Sequence, residues 1–292
     1  MAEISRGSVS ANGVEFGYLS AGDPKGRLAL CLHGFPDTAH GWRFLLPVLA
    51  DAGFFAVAPF QRGYAPTSVP PDGRYQTGAL AMDAIALHQA FGGTPDAVII
   101  GHDWGASGTH AAAVFEPARW AKVVTMAVPP GPAMGMSFLT NLAQVQRSWY
   151  MFFFQHALSD VVVAANDLAF IDMLWSQWSP GYVATEDLRT TKASIGDTAN
   201  LTAALGYYRA TLGNGYRDPA LDAVQAAGQG WTTQPHLYLH GRNDGCIGAE
   251  VAQAAAAMAP ANITVEFVDD AGHFLHIERP QLVNARIVEF LA

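Results

Sequence analysis

Gly101-His102-Asp103-Trp104-Gly105 is the stretch on which the reading of the fold turns. Small residues two positions either side of a polar one suit a sharp strand-to-helix turn. The backbone there is crowded, and the central side chain is pushed out at the top of a sheet. The apolar run at 97–100 reads as a strand stopping at Gly101, and a helix follows from near Gly105 to before Pro117. Taken alone, Gly-x-Asp-x-Gly is no more than a glycine-rich turn whose aspartate caps a helix. The rest of the chain reverses that reading.

Working outward, short β-rich runs alternate with helical ones. Residues 28–32 form a buried strand ending at His33-Gly34, a helix is expected over about 40–50, and 54–58 is the next strand. A long amphipathic helix is expected over about 78–90, and 123–128 is a further strand. Continuous apolar runs bounded by Gly and Pro, alternating with helices, indicate a parallel sheet covered on both faces. The character changes at Pro129-Pro130-Gly131-Pro132. From there to about Gly230 the pattern is helical and rich in aromatic residues, with no strand-like run closed by a turn. Strands resume at 236–240 and 263–268, with helices at about 249–258 and 280–291, the last with Pro280 placed for a first turn. The expected organisation is an α/β core of residues 1–130 and 229–292, interrupted by a helical unit of residues 131–228.

Bulk properties narrow the function classes. The 292 residues are half hydrophobic and only 14% charged, a globular composition. The net charge of −9 argues against nucleic acid or an anionic membrane surface as partner. Two isolated cysteines, Cys31 and Cys246, give no disulfide framework and read as buried thiols in a reducing compartment. Residues 1–11 lack a basic start followed by an apolar run, and no stretch has the length of a bilayer span, so a cytoplasmic protein is expected. The scattered histidines form no HExxH or close Cys/His set, and no metal or other cofactor is expected.

An aspartate at the turn implies particular chemistry. A carboxylate is ionised at neutral pH and attacks without a base to remove its proton. It suits displacement at saturated carbon, leaving an ester on the enzyme that a water, a base and an oxyanion site must then hydrolyse. The candidate base is His273, in Asp270-Ala271-Gly272-His273-Phe274 after the last strand. The candidate acid behind it is Asp244, in Gly241-Arg242-Asn243-Asp244. Asp269 and Asp270 lie too close along the chain and read as turn residues. At His33-Gly34-Phe35-Pro36 the glycine lets the backbone approach the nucleophile, so the N–H groups of Phe35 and Trp104 are the expected oxyanion donors, and a cis Phe35-Pro36 bond is expected.

Together with Arg62-Gly63-Tyr64, these motifs resemble the epoxide hydrolase and haloalkane dehalogenase branch of the α/β-hydrolases, in order and at matching spacing from about residue 30 to 280. The resemblance implies an α/β-hydrolase fold: a mostly parallel central sheet flanked by helices, with an inserted helical cap. It also implies the chain order nucleophile, acid, histidine. Epoxide opening needs an acid at the ring oxygen, and the family uses two cap tyrosines. Tyr150-Met151-Phe152-Phe153-Phe154-Gln155 is similar to one family stretch and points to Tyr150. Gly206-Tyr207-Tyr208-Arg209 is similar to the other and points to Tyr208, leaving open which of Tyr207 and Tyr208 faces the site.

A dehalogenase needs two N–H donors for a departing halide. Trp104 supplies one, and Trp149, Trp175 or Trp178 would have to supply the second because position 35 is Phe. Haloacid dehalogenases carry Arg after the nucleophile, where this chain has Trp104. The substrate pocket is expected to draw on His33, Pro36, Trp149, Phe153 and Phe274. The expectation is thus an epoxide hydrolase acting on a small apolar epoxide with water, as monomer or homodimer. Haloalkane dehalogenase is the alternative, and a ligand-binding protein on an inactive scaffold the third reading.

Overall fold

The computed structural model describes residues 2–292. An eight-stranded sheet runs in the order β1-β2-β4-β3-β5-β6-β7-β8. The strands are β1 (Ser5–Ala11), β2 (Val14–Ala21), β3 (Arg27–Leu32), β4 (Phe54–Pro59), β5 (Val98–His102), β6 (Lys122–Met126), β7 (His236–Gly241) and β8 (Ile263–Val268). From β4 to β8 all neighbours are parallel, while β1 and β2 form an antiparallel ribbon along one edge. β4, β5 and β7 are buried at every position, which explains their unbroken apolar runs. Separate hydrophobic clusters, one around Leu30, Val57 and Ile99 and one around Ala29, Val98 and Ile100, take alternate residues of the strands.

The helices are α1 (Leu46–Asp51), α2 (Thr77–Ala90), α3 (Trp104–Phe115), α4 (Ala133–Thr140), α5 (Leu142–Arg147), α6 (Trp149–Phe153), α7 (Leu158–Trp178), α8 (Thr185–Ile195), α9 (Thr198–Leu212), α10 (Asp222–Ala227), α11 (Ala249–Met258), α12 (Leu275–Glu278) and α13 (Pro280–Leu291). Between β6 and β7 the chain is helical, as its pattern indicates, and α10 already packs back on α2 and α3. α7 is interrupted where Asn166, Asp167 and Leu168 take positive φ.

Three expectations need correction. The β1–β2 ribbon was not anticipated from a polar N-terminus. Its strand β1 is exposed at alternate positions, and its signal is the Asn12-Gly13 turn, both residues at positive φ. The helix expected over 40–50 is a 3-10 turn, Ala39–Phe44, followed by α1, because Pro47 has no N–H and must begin a new helix. α2 is not amphipathic: it is buried on nearly every side, from Thr77 to Leu80 and again at Asp83, Ala84, Leu87 and His88, because α3, α10 and the edge of the sheet all cover it. No helix among the described residues is long and apolar enough to cross a membrane.

Candidate active site

The site is built where β5 meets α3. Asp103 sits between them at φ 53 and ψ −121, outside the regions L-residues ordinarily occupy. Its neighbours make that turn possible. A side chain at Gly105 would run into the carbonyl of Leu32, and one at Gly34 into Asp103 itself. The strand end at His33-Gly34 therefore lies against the Asp103 turn, and the Phe35 N–H donates to Asp103 Oδ1 at 2.7 Å. The Phe35-Pro36 peptide is cis.

His273 follows β8 and faces the other oxygen of Asp103. Its Nε2 is 3.6 Å from Asp103 Oδ2 and has no closer partner. Its Nδ1 is 3.0 Å from Asp244 Oδ2. Asp244 is held in turn: Oδ1 accepts the N–H groups of Cys246 at 2.7 Å and Ile247 at 2.9 Å. Burial works against a charged His273, but the carboxylate of Asp244, with that of Asp103 behind it, overcomes burial and holds the imidazole well above its ordinary pKa. The competing acids lie away from the ring: Asp269 pairs with Arg242, and Asp270, at positive φ, pairs with Arg279.

The tyrosines separate cleanly. Tyr207 is turned to the core, its hydroxyl donating to the Arg62 carbonyl at 2.8 Å. Tyr208 lines the cavity together with Asp103, and its buried hydroxyl has no protein partner among the described residues. Tyr150 is fully buried, with its ring 5.7 Å from that of Tyr208 and its hydroxyl 3.3 Å from Cys246 Sγ. Burial pushes both the Tyr150 and Tyr208 hydroxyls well above the ordinary phenol pKa, so both keep their protons.

A cavity of about 230 Å³ opens beside Asp103, Trp104 and Tyr208. The residues expected to line it lie elsewhere. His33 is a buried packing residue whose ring accepts the Gln61 N–H and meets the Gly34 carbonyl. The carbonyl of Pro36 is occupied by Trp175 and Thr191. Trp149 is partly exposed and, with Phe153, packs on Phe170 away from the cavity. Phe274 is buried in a stack on Trp175, centroids 3.5 Å apart. The wall comes instead from Met134 and Phe138 of α4, Met151 of α6 and Leu212 of α9. Thr77, Ser107, His110, Thr125 and Gln229 of the core and Gln225 of α10 also line it. Sequence reasoning missed these because helix register, not motif, turns them inward. The i, i+3, i+7 spacing of Asp103, Ala106 and His110 is the one signal that was present.

Among the described residues, two groups bring potential ligand atoms within 4.8 Å of one another, Asp244-Cys246-His273 and Asp37-His102-His276. The first is the His273–Asp244 pair with Cys246 beside it, whose Sγ already meets the Tyr150 hydroxyl. The second joins residues from three distant motifs and was invisible to a search by spacing. In it burial raises Asp37 to about 7 and lowers His276 to about 3, so at neutral pH His276 is uncharged and Asp37 has lost part of its charge.

Residues 30–280 match the alpha/beta hydrolase fold family. The chain belongs to that family. This hydrolase is 31% identical to AB hydrolase superfamily protein YfhM of Bacillus subtilis over 97% of its own length and 96% of the relative's. It is 28% identical to Epoxide hydrolase A of Mycobacterium tuberculosis, covering 97% and 96% of the two chains. The solved structure of Epoxide Hydrolase A from Mycobacterium thermoresistibile superposes on this hydrolase with a TM-score of 0.80 at 27% identity, covering 99% and 98%.

Proposed function

We propose that this hydrolase opens epoxides to vicinal diols through an ester on Asp103, beneath a cap formed by residues 131–228. The observation that carries the reading is the Asp103 carboxylate, oriented by the Phe35 N–H, sharing one cavity with the unpartnered hydroxyl of Tyr208. Asp103 Oδ2 attacks an epoxide carbon. The C–O bond breaks with its electron pair on oxygen, and that oxygen takes a proton from Tyr208, with Tyr150 beside it as second donor. Esterification removes the Asp103 charge from beside His273 and loosens the hold on its proton, which passes to the phenolate left on Tyr208, so the imidazole becomes a base at the step that needs one. His273 then takes a proton from water as it attacks the ester carbonyl. The N–H groups of Phe35 and Trp104 hold the oxyanion, and collapse releases the diol and restores Asp103. The names of the relatives support the same substrate class.

The dehalogenase reading has one observation in favour: the buried indole N–H of Trp104 has no partner. Against it, the Trp175 N–H is spent on the Pro36 carbonyl and Trp149 lies outside the cavity. Two measurements decide. Styrene oxide is expected to yield diol, and 1-bromobutane no halide; halide without diol would overturn the proposal. His273→Gln, given an epoxide, is expected to accumulate protein heavier by the mass of the substrate. An unmodified mass with turnover intact would remove the ester from the mechanism.

A further inference from the structure

Residues 242–248 join β7 to α11 as neither helix nor strand, and Asp244, Cys246, Ile247 and Gly248 among them are buried. The backbone groups of such a loop must find partners elsewhere in the fold. Cys246 and Ile247 donate their N–H groups to Asp244 Oδ1, so the acid keeps its place only while the loop keeps its shape. Two further groups of the loop, the Cys246 carbonyl and the Gly248 N–H, are met by one side chain, that of Gln144 on α5. Its Nε2 donates to the Cys246 carbonyl at 2.9 Å, and its Oε1 accepts the Gly248 N–H at 2.9 Å. Nε2 also donates to Ser148 Oγ at 2.9 Å, directly ahead of α6. Gln144 is fully buried. A primary amide offers the same donor and acceptor as a peptide group, so it pairs with the loop as a neighbouring strand would. Tyr150 follows on α6, and its hydroxyl lies 3.3 Å from Cys246 Sγ in the same loop.

We infer that Gln144 is a positioning residue for the second half of the proposed reaction. It fixes the loop that sets Asp244 behind His273, and through Asp244 it orients the base. The inference rests on the epoxide reading above. Ester formation draws on Asp103 and the Phe35 N–H, which belong to other loops. Ester hydrolysis needs His273 turned correctly by Asp244. Without the Gln144 amide, the Cys246 carbonyl and the Gly248 N–H are buried and unpaired. The loop then shifts to satisfy them, and Asp244 loses its fixed distance from His273. The two steps therefore separate: hydrolysis slows and ester formation does not.

The test mixes enzyme with styrene oxide, quenches in acid over milliseconds to seconds, and follows the rise and decay of the ester by protein mass. In Gln144→Met the decay is expected to be about tenfold slower, with the rise within about twofold of wild type. Arg147→Gln removes the ion pair to Glu250 that fastens the same helix to α11 and leaves the amide in place. Its decay is expected to match wild type. Rise and decay slowed alike in Gln144→Met, or decay slowed as much by Arg147→Gln, would overturn the inference, because general loosening of α5 would explain either. Should Gln144→Met not fold, Ser148→Ala, which removes one of the three hydrogen bonds, is expected to slow the decay by about threefold, and an unchanged decay would overturn the inference. A readout without substrate separates this inference from the epoxide reading. The low-field proton NMR resonance of the hydrogen between His273 Nδ1 and Asp244 is expected to persist in Arg147→Gln and to vanish or move upfield in Gln144→Met. An unmoved resonance would overturn the role of Gln144. A resonance lost as expected, in a protein whose wild type forms no ester from the epoxide, would overturn the epoxide reading and leave Gln144 as the anchor of Asp244.

Discussion

At the scale of single residues, two adjacent tyrosines have opposite assignments. Tyr207 and Tyr208 are neighbours on α9, about 100° apart around the helix, so only one can face the cavity. The Tyr207 hydroxyl satisfies the buried carbonyl of Arg62. Tyr207→Phe leaves that carbonyl short of a donor and is expected to cost about 1 to 2 kcal/mol in urea denaturation, with epoxide turnover little changed. Tyr208→Phe is expected to do the reverse, lowering turnover by about a hundredfold with stability nearly intact. If Tyr207→Phe were the inactive variant, the roles would have to be exchanged. The family resemblance pointed to this stretch but could not choose between the two. The choice depends on where α9 sits over the core, which no local pattern encodes.

At the scale of elements, the strands were legible because burial on both faces leaves an unbroken apolar run. The elbow was legible because only small residues tolerate its close contacts. α2 misled for a related reason: its polar positions suggested a solvent face that tertiary packing has covered. Thr77, Asp83 and His88 are all buried there. α2 meets α3 at Leu80, whose side chain lies over Gly108, a position where a side chain would come within 3.0 Å of Leu80 Cβ. This contact supports the helix that begins at Asp103. Leu80→Ala is expected to destabilise the fold by about 3 kcal/mol in urea denaturation. A loss below about 1 kcal/mol would mean that α2 tolerates a cavity and does not anchor α3.

At the scale of the whole molecule, the buried titratable groups set the response to acid. His33, His102, His236 and His276 are all buried, and burial lowers the pKa of each, to about 3 for His276. The unfolded chain takes up protons at these positions near pH 6.5, and the folded chain refuses them. Their stabilisation is therefore complete above about pH 6.5 and is lost as pH falls toward the folded values, by up to about 1.4 kcal/mol per group and pH unit. His273 runs the other way, but its raised pKa places its window above 6.5, so it adds no slope in acid. Asp37, raised to about 7, and Glu278, also raised by burial, oppose in this range. The buried His110 and His240 are lowered as well, so the histidines outnumber the opposing carboxyls and the net effect is a loss. The melting temperature is expected to drop between pH 6 and pH 5. Stability unchanged until pH 4, where ordinary carboxylates titrate, would show that these histidines accept protons within the fold.

The residue types and their order along the chain determined which residues form the candidate site of this protein. An aspartate between two glycines, an aspartate after one strand and a histidine after the next are brought together because strand ends of a parallel sheet converge at one edge, and they are the proposed nucleophile, acid and base. The sequence by itself determined also the alternation of strands and helices and the helical interruption between β6 and β7. The tertiary structure decided what depends on the relative placement of distant helices: Tyr208 over Tyr207, a cavity walled by α4 and by the inner face of α3, and the burial of Trp175 and Phe274 in a stack. Side-chain direction on a helix follows the packing of that helix against its neighbours, and packing is a property of the whole chain.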